Sequence, residues 1–283
     1  MLPNVLSLGA GVQSSTVFLM SCLGQLPKFT CAVFADTGWE PQAVYTHLEW
    51  LQEMGNQHGI PIHVVQHGNL KEDVIASTIQ TTTRYASIPL YTLDEQGKKG
   101  AIRRQCTKEY KLDPITKFLR EQVLGLSKGQ HSPRTPQLNV FIGISGDEGR
   151  RMRMPQEPWK NHVYPLCNWP DLYLDQPYSR QDCLAWMTHH FPDHPPPRSA
   201  CLGCPYHSDQ EWKQIKDTSP HEWAETVQVD RMIRQGFGKG EAQKIKADCF
   251  LHNACQPLDE VELDPHKNQL SLFSEECLGI CGV

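Results

Sequence analysis

The chain has no apolar run long enough to cross a bilayer, which takes about 20 consecutive apolar residues. Residues Met1–Ala10 carry no basic leader; together these absences point to a cytoplasmic protein with no membrane partner. Positive charge is not in excess: 27 Lys and Arg stand against 32 Asp and Glu, a formal net charge of -5. The field of the whole molecule therefore does not draw in nucleic acid, and any such contact has to come from local basic clusters. Internal repeats and low-complexity tracts are absent, and no serine–histidine–acid arrangement is legible. One more absence concerns a glycine-rich loop near the N-terminus, "VLSLGAGVQSST". Counting from Gly9, Ser14 and Ser15 stand where a phosphate-loop Gly-Lys pair would fall, which excludes an ordinary P-loop NTPase.

What is present begins with size and sulfur. A chain of 283 residues makes one large domain, or a domain with an appendage. Its 11 cysteines are many for a reducing compartment, where clustered thiols imply metal, cluster or sulfur chemistry rather than disulfides. Cys22, Cys31, Cys167 and Cys183 have apolar neighbours and read as core fillers.

Strand-like and helix-like segments alternate through the first half. "NVLSLG", "FTCAVFAD", "IPIHVVQ" and "LNVFIGIS" are short apolar runs; residues 13–23, 41–54, 70–79 and 108–123 carry helical patterning. The polar segment 80–99 reads as a long substrate loop. Alternation of this kind predicts an α/β fold, a parallel twisted sheet with helices on both faces. Ligands of such sheets bind at the carboxyl ends of the strands, where "GAGVQSS", "DTG" and "GDEGRR" fall. Regular patterning weakens after Arg151. The chain is accordingly divided into a nucleotide-binding domain, 1–155, and a Cys-rich, mostly helical or irregular region, 156–283.

The candidate chemistry follows from residue types. Gly9 and Gly11 permit close backbone approach to an anion, the next helix offers its N-terminus, and Ser14 and Ser15 offer hydroxyls. Asp36 ends a strand and either holds Mg²⁺ or a ribose hydroxyl, or caps the turn after it. Arg103, Arg104, Lys108 and Lys111 surround Cys106, and Arg150, Arg151 and Arg153 follow a strand. Guanidinium forks suit phosphate. Asp147 and Glu148, in the same turn, bind metal or pair with these arginines. Cys201 and Cys204, in "CLGC", have the spacing of two thiolates on one metal centre. His189, His190 and His194 read as solvated or packing side chains, and Trp169, Trp186 and Trp212 as core or base-adjacent packing.

"SLGAGVQSS", "FADTGWEPQAVYTHLEWL", "RRQCTKEYKLDPI" and "FIGISGDEGRRM" occur in the order seen in the PP-loop superfamily. They resemble its phosphoadenosine phosphosulfate reductase branch over roughly the first three-quarters of the chain, an ordered set more specific than any single motif. The resemblance implies an adenine nucleotide alpha hydrolase-like fold that binds ATP or a related adenine nucleotide with Mg²⁺. It implies nucleotide contacts from Ser7, Gly9, Ala10, Gly11, Gln13, Ser14, Ser15, Asp36, Thr37, Gly38, Gly143 and Arg150. Gln13 stands at the acidic position of the usual loop signature, as in the reductase branch.

The same resemblance implies a 4Fe–4S cluster held by Cys106, Cys201, Cys204 and a tail cysteine, with Cys277 and Cys281 competing for the fourth place. Structural zinc with His207 is the alternative. The tail "EECLGICGV" is similar to the reductase tail that carries a catalytic cysteine, so Cys281 and Cys277 join Arg104, Arg151 and Asp36 as catalytic candidates. A reductase-like loop with a late CxxC also resembles the ATP pyrophosphatase component of DNA phosphorothioation systems. That implies a cysteine desulfurase as sulfur donor, other modification-complex subunits, and a nucleic-acid acceptor, DNA ahead of tRNA. Reduction of a nucleotide sulfate to sulfite is the second expectation. A nucleotide-binding subunit without turnover is the third.

Overall fold

The structure, a computed structural model, describes residues 2–78, 88–102, 106–234 and 247–264. Five parallel strands form the main sheet: β1 (Asn4–Leu8), β2 (Cys31–Asp36), β3 (Ile62–Gln66), β6 (Leu138–Ile142) and β7 (Lys160–Val163), in the order β3-β2-β1-β6-β7. The connections supply α1 (Val12–Cys22), α2 (Gln42–His58), α3 (Leu70–Thr78) and α4 (Asp113–Phe118), the last flanked by π-helical turns over Thr107–Leu112 and Leu119–Val123. The chain is an α/β protein. β7 lies past residue 155, so the sheet runs across the division drawn from composition.

Period-two alternation sorts the strands' side chains onto two faces. Leu6, Leu8, Ala32, Phe34 and Phe141 pack under α1, α2 and α5 (Arg180–His190). Val5, Cys31, Val33, Val140 and Ile142 pack with Ile115 and Leu119 of the 107–123 helix. Helices therefore cover both faces. Cys31 and Cys183 are buried fillers, with thiols pushed up to about 11 and about 12 by burial, so they stay protonated. Cys22 and Cys167 are half-buried against the same cores.

A second unit packs beside the sheet. β4 (Leu90–Leu93) pairs antiparallel with β5 (Lys99–Ile102) and with β8 (Asp248–Phe250). The expected loop over 80–99 is thus a hairpin from residue 90 on; the Asp94 carboxylate accepts from the amides of Gln96 and Lys98 and holds its turn. The strand is short, with a proline before it and polar residues after it, so no alternation betrays it. α6 (Asp209–Thr218) and α7 (Pro220–Met232) enclose its core with Trp39, Leu90, Trp212, Cys249 and Leu258. Asp230 ties this unit together. Its fully buried carboxylate accepts from the amides of Leu251 and Leu258 and pairs with Arg234 at 2.6 Å.

Candidate functional site

Strand order reverses between β1 and β6, and the carboxyl ends of these two strands are the switch point at which open α/β sheets place ligands. Backbones approach closely here. A Cβ on Gly143 would lie 2.8 Å from Ser14 N and Cα, so only glycine lets the end of β6 reach the first turn of α1. Across from it, Ala10 is fully buried with φ of 51°, a left-handed conformation that costs a non-glycine residue roughly 1–2 kcal/mol. Strain of that kind marks a loop shaped for more than a connection.

The loop's donors are held ready. Ser14 Oγ accepts from the amides of Gly9 at 3.2 Å and Gly11 at 3.3 Å. Ser7 is buried in β1, in register with Val33 and Ile142. Ser15 differs from expectation: it is fully buried, and its Oγ lies 3.0 Å from His47 Nε2. One residue after Ser14 on a helix, it points into the α1–α2 packing instead of toward the glycine loop. Burial, and then the neighbouring His194, push His47 down to about 4, so the pair is neutral. His194 stacks on Trp50 at 4.2 Å and His190 on Trp186 at 4.1 Å.

The turn after β2 forms the second wall. Asp36 Oδ1 accepts from the Gly38 amide and the Tyr45 hydroxyl, both at 2.8 Å, so the expected capping contact is made through one of its two carboxylate oxygens. Gly38 has φ of +72° with the Asn69 side chain 2.9 Å from its missing Cβ, so it has to be glycine. Thr37 donates to Glu40 Oε1 at 3.0 Å. Glu40, its side chain fully buried, also takes Lys111 at 3.0 Å, reached from the π-helical turn. On the outer side of this turn a cleft of about 480 Å³ opens between Trp39, Glu40, Leu202 and the start of α7.

The "GDEGRR" segment is a 3₁₀ turn over Gly146–Arg151. Gln13 Nε2 donates to Glu148 Oε2 at 3.1 Å, and Glu148 pairs with the buried Arg151 at 2.7 Å. The acidic group next to the loop is therefore Glu148, brought over by the turn, and Arg151 sits against it. Asp147 accepts from the Arg180 amide, and Arg150 is exposed. Lys108 is exposed and pairs with Asp113 at 2.8 Å along its own helix.

The Cys pair closes the site. Cys201 Sγ lies 3.4 Å from both Thr37 Oγ1 and Glu40 Oε1. The Cys204 amide donates to the Cys201 carbonyl at 3.0 Å, folding "CLGC" into a turn. Gly203 lies flat on the Trp39 indole; an added Cβ would stand 2.0 Å from a ring carbon. Cys106, at the start of the 107–123 helix, borders the same core as Cys201. Among the described residues, which include Cys106, Cys201 and Cys204, no group of three His, Cys, Asp or Glu converges as a metal site. Burial, then Arg198, push His207 down to about 3, and its Nε2 lies 3.0 Å from the Cys201 carbonyl while Nδ1 has no hydrogen-bond partner. Arg104, Cys277 and Cys281 lie outside the described residues.

Glu40, Ser199 and Glu148's contact with Gln13 are the site features that the sequence alone did not single out. Glu40 follows "DTG" closely enough to have been suspected; Ser199 carries no local signal. No helix among the described residues is long and apolar enough to cross a membrane. No protein-family model matches the chain, and no curated protein matches it.

Proposed function

We propose that the chain is an adenine nucleotide alpha hydrolase-like, PP-loop ATP pyrophosphatase that activates an oxygen for sulfur insertion into nucleic acid, with the DNA backbone phosphate as first candidate acceptor. The observation that carries this reading is that the Gly9–Ser14 loop, the Asp36–Glu40 turn, Arg151 and the Cys201–Cys204 turn are brought together at the carboxyl edge of the sheet.

The roles follow from that arrangement. Amides of Gly9 and Gly11 and the Ser14 hydroxyl exchange their mutual bonds for bonds to a polyphosphate, charge that the positive end of α1 also favours. Arg151, with Arg150 at the same strand end, stabilises charge developing on the phosphates, and Arg104 adds to it. Glu148 and Asp36 supply carboxylate oxygens for Mg²⁺. Transfer of the adenylyl group to the acceptor oxygen releases pyrophosphate. Attack by a persulfide sulfur, loaded by a cysteine desulfurase onto Cys281 or Cys277, then expels AMP. A second thiol cleaves the S–S bond, releasing the thiolated product and leaving a disulfide. Cys106, Cys201, Cys204 and whichever of Cys277 and Cys281 does not carry the persulfide would hold a 4Fe–4S cluster, with zinc as the alternative. A bound cluster supplies structural cohesion and a redox-active neighbour.

The runner-up is release of sulfite from a nucleotide sulfate. Gln13, bonded to Glu148 instead of being an acid itself, favours it. One experiment separates the readings: anaerobically purified protein is incubated with ATP and with phosphoadenosine phosphosulfate, and pyrophosphate and sulfite are assayed. Pyrophosphate alone supports oxygen activation and sulfite supports reduction. Neither product leaves a binding subunit of a modification complex, on DNA or tRNA.

A further inference from the structure

Ser199 lies in the proline-rich lead to the Cys pair, and it touches the glycine loop twice. Its hydroxyl donates to the Gly9 carbonyl. Its Cβ stands 2.8 Å from where a Cβ on Gly11 would be, so Gly11 has no room for a side chain because Ser199 covers it. Two residues on, Cys201 is held by Thr37 and Glu40, and the Leu202 amide donates to the Trp39 carbonyl at 2.9 Å. The segment 199–204 therefore spans both loops at the carboxyl edge of the sheet. It leans on the β1–α1 loop at one end and on the β2–α2 turn at the other. A polyphosphate drawing on the Gly9 and Gly11 amides takes them from Ser14 Oγ and meets Ser199 directly above. With Leu202 pinned, displacement of Ser199 has only Ala200, which is buried, between it and Cys201.

We propose that Ser199 is a positioning residue that ties occupation of the Gly9–Ser15 loop to the placement of Cys201, so that a bound polyphosphate and the Cys pair sense one another. The inference rests on Gly9–Ser15 being an anion cradle. Coupling of this kind is reciprocal: whatever factor a ligand at the loop imposes on the Cys pair, occupation of the pair imposes on the ligand.

The test uses the full chain, stripped of metal with a chelator and reduced, with ATP and inorganic pyrophosphate as probes. Calorimetry gives their affinities, and N-ethylmaleimide labelling with peptide mass spectrometry gives the rate at each cysteine. Cys22, at the far end of α1, is the internal reference. Saturating ATP is expected to change the Cys201 rate by about 5-fold or more while leaving Cys22 unchanged. Ser199→Gly removes both contacts; it should tighten pyrophosphate about 5-fold and reduce the ATP effect on Cys201 to under about 2-fold. Ser199→Ala, which loses only the hydroxyl, should diminish that effect in part, and answers the question if the glycine variant folds poorly. ATP that binds without changing Cys201, or an effect undiminished in both variants, overturns the inference and leaves the cradle standing. A wild-type chain that binds neither probe overturns the cradle itself.

Discussion

In the parallel sheet, β1 and β2 are each followed by a helix that packs on the sheet, and every pairing except β1–β6 joins strands consecutive in that sheet's chain order. The antiparallel unit is assembled differently. β4 and β5 come from the middle of the chain, α6 and α7 from well beyond the sheet, and β8 from near the end of the described residues. Its interior holds buried polar joints: Asp230 on two amides and Arg234, and His252 on Asp209 at 2.9 Å. The sheet needs nothing comparable, because its buried backbone groups satisfy one another in the ladder. Where segments meet from far apart without a ladder, side chains have to terminate their backbones. The candidate site lies where the two regions touch, with the cradle from the first and the Cys turn from the second.

The strongest challenge to this contrast is Asp230→Ala. It would leave two buried amides and Arg234 without their acceptor, and the expected loss is about 3–5 kcal/mol by denaturant unfolding. A loss below about 1 kcal/mol would mean that the antiparallel unit does not hang on its polar joint. Next in size is Gly203→Ala, which drives a methyl group into the Trp39 ring. Overpacking should cost about 1–3 kcal/mol, and bound metal should fall with it in elemental analysis. Cys201→Ser and Cys204→Ser test the proposed metal centre directly: each should abolish bound metal in elemental analysis and lower stability by the folding energy its binding would contribute.

Acid sharpens the comparison, because each region holds a histidine that burial keeps neutral. His47 sits in the sheet's helical layer and His207 against the Cys turn, at about 4 and about 3 instead of 6.5. Below pH 6.5 the unfolded chain binds protons that the folded chain refuses, so stability is complete above that value and falls as the pH drops toward these two values. Each histidine contributes a slope of about 1.4 kcal/mol per pH unit. His47→Gln should remove its share alone; a slope unchanged by that substitution would contradict the burial of His47. The smallest effect is expected from Ser14→Ala, about 1 kcal/mol of stability from two amides losing an acceptor. The same variant should bind ATP more weakly, and an unchanged affinity would break the anion reading of the loop.

Much of the sheet was legible because its signals are local. Apolar runs ending in "GAG", "DTG" and "GIS" mark strand ends whose next residues must turn tightly, and Gly38 and Gly143 are required there by contact. Within the same loop legibility stopped at Ser15. Its hydroxyl looked equivalent to that of Ser14, but a helix turns each residue by about 100°, and that rotation sends Ser15 toward His47. Asp36 was readable as a cap or a ligand; the Tyr45 and Gly38 contacts, both on Oδ1, make the capping contact, and the ligand role belongs to the proposal. β4 was read as loop because four residues with a partner near the end of the described chain carry no period that a window can detect.

By itself the sequence determined an α/β chain with glycine turns at the strand ends and a Cys pair on a short turn, since alternation, glycine and spacing act between residues a few positions apart. Only the tertiary structure decided that the Cys turn rests on Thr37 and Glu40, that Ser199 covers Gly11, and that Glu148 reaches Gln13. Those contacts join segments more than a hundred residues apart along the chain, and they exist only once packing of two cores has placed the segments side by side.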